Sequence, residues 1–170
     1  MKKLLSILSA GILAAGIFVT PALALEIAGG EEFTLAEGQT YDDNLIVGGG
    51  VVDIEGVVNG DLIAGGGYIT ITGTIDGDVL VGGGRVELEE GSKITGDLKM
   101  MGGMLELDGT VEEDVTVYAG QIDISGTVKS LSADVGQAKL SGKITEDADI
   151  RAGMLSVEEG AEVGANLIYA

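Results

Sequence analysis

The stretch Asp61-Leu62-Ile63-Ala64-Gly65-Gly66-Gly67-Tyr68-Ile69-Thr70-Ile71-Thr72-Gly73-Thr74-Ile75-Asp76-Gly77 decides the fold, because Asp78-Val79-Leu80-Val81-Gly82-Gly83-Gly84-Arg85-Val86-Glu87-Leu88 begins it again. The leading aspartate, the apolar residues and the glycines fall in the same columns. A fixed period of this size marks a solenoid: one unit cannot bury its own apolar face and must stack on the next.

Working outward, the leading polar residue recurs at Asn44, Asp61, Asp78, Asp97, Asp114, Ser130, Asp147 and Asn166. The spacings run 17, 17, 19, 17, 16, 17 and 19. Each leader opens a triplet whose first and third members are apolar, while the middle member ranges from Ile63 to Asp149. That is the signature of a period-two strand with its middle side chain outward. A glycine follows at Gly50, Gly67, Gly84, Gly103, Gly120, Gly136 and Gly153, where a corner needs either positive φ or close approach between coils. A second strand has inward pairs such as Val52/Ile54, Ile69/Ile71, Leu105/Leu107 and Ile122/Ile124, and a second corner is expected at Gly56, Gly73, Gly91, Gly109, Gly126, Gly142 and Gly160. The third side carries one inward residue, Val58, Ile75, Ile94, Val111, Val128, Ile144 or Val163. The longer coils carry their extra residues here, as Glu89–Lys93 and Glu158–Glu162.

Three inward-facing sides per coil predict an all-β, single-stranded parallel β-helix of triangular cross-section. Leu25 to Asp43 reads as an imperfect first coil with Phe33 and Leu35 as its second-strand pair. That makes about eight coils of 16–19 residues. Stacked at about 4.8 Å, they give a rod roughly 38 Å long. Dense β-branched alternation and recurrent glycine exclude helix.

The chain has 170 residues and a formal net charge of −19. Met1-Lys2-Lys3, the uncharged run Leu4–Val19, the break Thr20-Pro21 and the small-residue site Ala22-Leu23-Ala24 together read as a secretory signal peptide. Residues 1–24 are thus expected to be removed, leaving 25–170 as the β-helix domain, exported to the periplasm, cell surface or medium. Cleavage would make the chain still more acidic, a surface that repels nucleic acid and anionic lipid. No second apolar segment of spanning length follows, so no membrane span is expected in the mature chain. Cysteine, histidine and tryptophan are absent, which removes disulfides, thiolate metal sites and the commonest general base. Neither an enzyme nor a cofactor is expected.

Four features compete as sites. Asp61, Asp78, Asp97 and Asp114 recur at one corner, where a divalent cation would relieve their repulsion. The favoured role is structural: each carboxylate accepts backbone N–H groups of its own turn, a function that Asn44, Ser130 and Asn166 can also serve. The glycine triplets (Gly65-Gly66-Gly67 and its equivalents) lack the helix that a phosphate cradle needs. Ile46, Ile63 and Leu80 form an outward aliphatic ladder, with Val51 and Tyr68 nearby, and are expected to be a contact surface. Finally, Leu25, Ile27, Leu167, Ile168 and Tyr169 lie in the terminal coils. Uncovered coil ends are templates for another chain, so these five are the expected self-association residues.

The Gly-Asp coil openings (Gly60-Asp61, Gly77-Asp78, Gly96-Asp97), the run Ile69-Thr70-Ile71-Thr72-Gly73-Thr74-Ile75 and the closing Leu155–Val163 resemble the bactofilins, bacterial polymer-forming β-helix proteins. The likeness covers Asn44 to Ala170. It implies a right-handed β-helix that assembles end to end into non-polar filaments without nucleotide, with further copies of itself as principal partner. Bactofilins are typically cytosolic, so this chain reads as an exported variant, a structural component of the envelope or surface. The alternative is a non-catalytic adhesin-like or polysaccharide-binding module.

Overall fold

The computed structural model describes residues 29–170. The expected signal peptide, Leu25 and Ile27 lie outside the described residues. Among the described residues every regular element is a strand, and every pairing is parallel.

A ten-residue strand carries the first two sides of most coils, as in Leu45–Ile54, Leu62–Ile71, Val79–Leu88, Leu98–Leu107 and Ala148–Val157. A two-residue strand forms the third side, as in Val57–Val58, Thr74–Ile75 and Lys93–Ile94. In Thr110–Ile124 and Thr127–Leu140 the third side runs into the first without a break. Here Glu113 and Lys129 stand where other coils have Gly60, Gly77 and Gly96, and the register slips between Val111 and Asp114. That slip, a bulge, produces the single 16-residue spacing.

The expected stacking is observed. Ile71 pairs with Leu88 and Leu88 with Leu107, while Phe33 and Leu35 pair with Val52 and Ile54. The inward columns form one continuous aliphatic core from Leu35 to Ile150, most of it fully buried.

The two corners work differently. At the first, the strand ladder continues through the bend. A Cβ on Gly67, Gly84 or Gly103 would lie 2.9, 2.9 or 2.8 Å from the carbonyl oxygen of the glycine one coil below. None of these glycines has positive φ, so close approach is what requires glycine there.

The second corner corrects the sequence reading. Gly91 and Gly160 are not in the corner column. Ser92 and Ala161 occupy it, as shown by the bonds that Lys93 and Glu162 make to Gly73 and Gly142. Gly91 (φ 92) and Gly160 (φ 98), with Gly38 (φ 79) in the first coil, sit out in the inserted turns, where a Cβ would meet nothing within 4 Å. Each insert closes on itself: the N–H of Gln39, Ser92 and Ala161 donates to the carbonyl three residues back. With only the third residue at positive φ, these are type II turns. At the uninserted corners Gly56, Gly73, Gly126 and Gly142 the N–H instead donates to the coil below. That bond draws the corner down so far that a Cβ on Gly73 would lie 1.9 Å from the carbonyl oxygen of Gly56. An insert that supplies its own acceptor lifts the corner, and a side chain then fits. The first coil also proves to be a 19-residue coil, a spacing the sequence alone did not reveal.

Candidate functional site

The aspartate column stands just outside the first strand of each coil. Asp61 N–H donates to Asn44 Oδ1 (2.8 Å), Asp78 N–H to Asp61 Oδ1 (2.9 Å), Asp97 N–H to Asp78 Oδ1 (2.9 Å) and Asp114 N–H to Asp97 Oδ1 (3.2 Å). These donors belong to the next coil, which corrects the expectation of bonding within each residue's own turn. The Leu62 N–H donates in turn to the Asp78 carbonyl. In a parallel ladder a residue is held by the carbonyl before its partner and the N–H after it. At the corner the side-chain oxygen takes that carbonyl's place, extending the ladder by one residue: the Gly77 carbonyl accepts the Gly96 N–H (3.1 Å), and Asp78 Oδ1 accepts the Asp97 N–H. The role needs an acceptor rather than a charge, which is why Asn44 serves as well. Glycine in the preceding position makes room: a Cβ on Gly96 would lie 2.3 Å from Asp78 Oδ1.

The column continues by variation. Ser130 Oγ donates to Asp114 Oδ1 (2.6 Å). Asp147 Oδ1 accepts both the side-chain and the backbone N–H of Asn166 (2.8 and 3.0 Å), and these bonds hold its carboxyl below the usual carboxylate range. Among the described residues no three carboxylates converge on a common point, so Asp61, Asp78, Asp97 and Asp114 form a line of separate acceptors.

Beside this line runs the aliphatic ladder. Ile46, Ile63, Leu80 and Lys99 are in direct register, with Ile63 and Leu80 exposed and Ile46 half-buried. Asp61, Asp78 and Asp97 with Ile63, Leu80 and Lys99 line a shallow groove along the rod. Tyr68 does not belong to it. The glycine corner puts Val51 and Tyr68 on the second side, and Tyr68 lines a separate depression with Gly67, Gly84, Arg85 and Met104. There Arg85 pairs with Glu87 and, at 2.8 Å, with Glu106. The outward carboxylates Asp53 and Glu55 are both solvent-accessible, and Glu55 lies in an open trough with Glu37 and Thr72.

Among the described residues the core opens at the last coil. Val157 is 52% exposed, whereas Leu140, its partner one coil earlier, is 1% exposed. Leu167–Tyr169 pairs with Ala148–Ile150 on one side and, among the described residues, with nothing on the other. All three of its side chains are exposed. The rung is anchored from below, since Ala170 N–H donates to Ile150 and Tyr169 Oη to the Ala152 carbonyl.

Two features escaped the sequence reading. Ser92 is buried with an Oγ that has no hydrogen-bond partner, and a corner column called glycine concealed it. The outward glycines Gly48, Gly65 and Gly82 are the other. Their column carries Met101, Tyr118, Asp134 and Arg151 in later coils, a contrast that aligning the repeats by register brings out. No helix among the described residues is long and apolar enough to cross a membrane. Comparison with protein-family models, with curated proteins and with solved structures finds no match to this chain.

Proposed function

We propose that the protein is a structural, self-assembling rod: an exported, bactofilin-like solenoid that polymerises end to end as a component of the cell envelope or surface. One observation carries the reading. The last described rung presents an unpaired strand edge and an open core together, so another β-helix coil laid on it satisfies the backbone and covers Val157, Leu167 and Tyr169 at once. Most interior columns of the same rod are fully covered, so the uncovered face of the last described coil has the chemistry of a core cut in half. Export rests on the Met1–Ala24 sequence. The test is sedimentation and negative-stain microscopy of wild type and Leu167→Asp over a range of concentrations. Wild type should form concentration-dependent linear assemblies, and the variant should remain monomeric. Two strictly monomeric proteins would refute the reading.

A second reading, glycan binding on the side of the rod without catalysis, is favoured by Tyr68, 62% exposed beside Arg85 in an open depression. Binding on a glycan array by a monomer, lost in Tyr68→Ala, would support it over assembly.

A further inference from the structure

The outward first side of the coils Leu45–Leu88 combines three properties that the rest of the rod does not. It is apolar along Ile46, Ile63 and Leu80. It is bare alongside, at Gly48, Gly65 and Gly82. These glycines are not imposed by the fold: a Cβ would find its nearest neighbour at 3.6, 4.0 and 3.8 Å, ordinary contact, and φ is not positive at any of them. The neighbouring glycines differ, since a Cβ on Gly66 would lie 2.8 Å from a backbone oxygen. It is also anionic, with Lys99 at one end as the one cation among its lining residues. From Gly29 to Gly84 the chain has no lysine or arginine, and among the described residues the ion pairs other than those of Arg85 all involve Lys93 or later cations. Lys99, next in the aliphatic column, closes the groove.

We propose that this face docks a short basic segment of a partner protein, one that places aliphatic side chains on the Ile63–Leu80 ladder and lysine or arginine beside Asp61 and Asp78. The bare glycine column lets the segment's backbone approach closely, and the ladder supplies the apolar area. The carboxylate line supplies charge complementarity, since each aspartate gives one oxygen to the coil above and keeps the other for a cation. A second copy of this chain is disfavoured as occupant, because two such faces would set uncompensated carboxylate lines against each other. The surface lies on the side of the rod, so the inference stands apart from assembly at the ends.

The test uses the full chain and two blocked heptapeptides of equal charge, Lys-Leu-Lys-Leu-Lys-Leu-Lys and Lys-Ser-Lys-Ser-Lys-Ser-Lys, titrated by calorimetry at moderate salt. The leucine peptide should bind at least about tenfold more tightly than the serine peptide, a difference that reports the ladder rather than net charge. Gly65→Met places in this coil the side chain that Met101 carries two coils later. It should fold with an unchanged melting temperature and bring the leucine peptide down to the serine level, as should Ile63→Ser. Asp61→Asn with Asp78→Asn keeps the ladder acceptors and should weaken binding about three- to tenfold. Equal binding of the two peptides, or variants that bind the leucine peptide as wild type does, would overturn the proposal. So would a wild-type dimer that Ile63→Ser dissociates, because it would give the face to a second copy.

Discussion

The stretches Leu45–Leu88 and Leu98–Ile150 differ outside far more than inside. Their inward first-side column runs Leu45, Leu62, Val79, Leu98, Val115, Leu131 and Ala148, aliphatic throughout and buried throughout. One residue further on, Ile46, Ile63 and Leu80 give way to Lys99, Thr116, Ser132 and Asp149. Packing dictates the inner column, because each side chain must fill the space between two neighbours. It dictates nothing outside. An outward pattern held over three coils and then dropped is therefore where a use beyond folding is to be sought.

The widest gap between the two faces should appear on truncation. Leu88→Ala opens a cavity in a fully buried column and should cost about 2–5 kcal/mol by denaturant unfolding. Leu80→Ser, on the outward face of the same strand, should stay within about 0.5 kcal/mol. A cost at Leu80 near that at Leu88 would mean that the aliphatic ladder serves the fold and no partner.

Glycine gives the next contrast. Gly73→Ala forces a Cβ against the Gly56 carbonyl, a fixed backbone group, and should cost about 3 kcal/mol. Gly65→Ala enters open space and should be neutral or stabilising by up to about 1 kcal/mol through the unfolded chain. If both substitutions proved equally harmful, the outward glycines would be structural after all.

These pairs also mark what the sequence made legible. Columns repeated at a fixed lap identified the inward residues, the three sides and the second-strand pair Phe33/Leu35 of an irregular first coil. Glycine could not be read as well, because one residue type serves three purposes here. Gly73 yields to a carbonyl, Gly91 adopts positive φ in an insert, and Gly65 leaves a surface bare. Periodicity records that a glycine recurs, not which neighbour requires it, and so Ser92 was hidden behind Gly91. The aspartate ladder was half legible. Replacement by Asn and Ser pointed to hydrogen bonding, but the donor one coil later depends on rise and register.

Ser92 is the inserted corner's counterpart to Gly73, and it carries a buried hydroxyl with no partner. Ser92→Ala keeps the Cβ that this corner accommodates and removes the unpaired Oγ. It should stabilise the protein by about 1 kcal/mol, read as a raised urea midpoint at unchanged slope. A loss of stability would mean that the hydroxyl bonds to something, most simply a buried water.

The smallest expected effect separates the last rung from the interior. Asp147 holds Asn166 through both its side-chain and its backbone N–H, and these bonds lower the Asp147 pKa. A carboxyl whose folded pKa lies below its unfolded value, about 3.9, contributes its full share above that value. The share is lost as the pH falls through the folded pKa. The rung Leu167–Tyr169, paired on one side among the described residues, should therefore loosen in acid below about pH 4 while the core strands stay protected. The Asn166 amide resonance should titrate in that range. In Asp147→Asn the amide oxygen still accepts, as Asn44 Oδ1 does for Asp61, so the rung should hold at both pH values and the titration should vanish. A resonance that titrates unchanged in the variant would assign the effect to another carboxylate and remove Asp147 as the anchor of the last described rung.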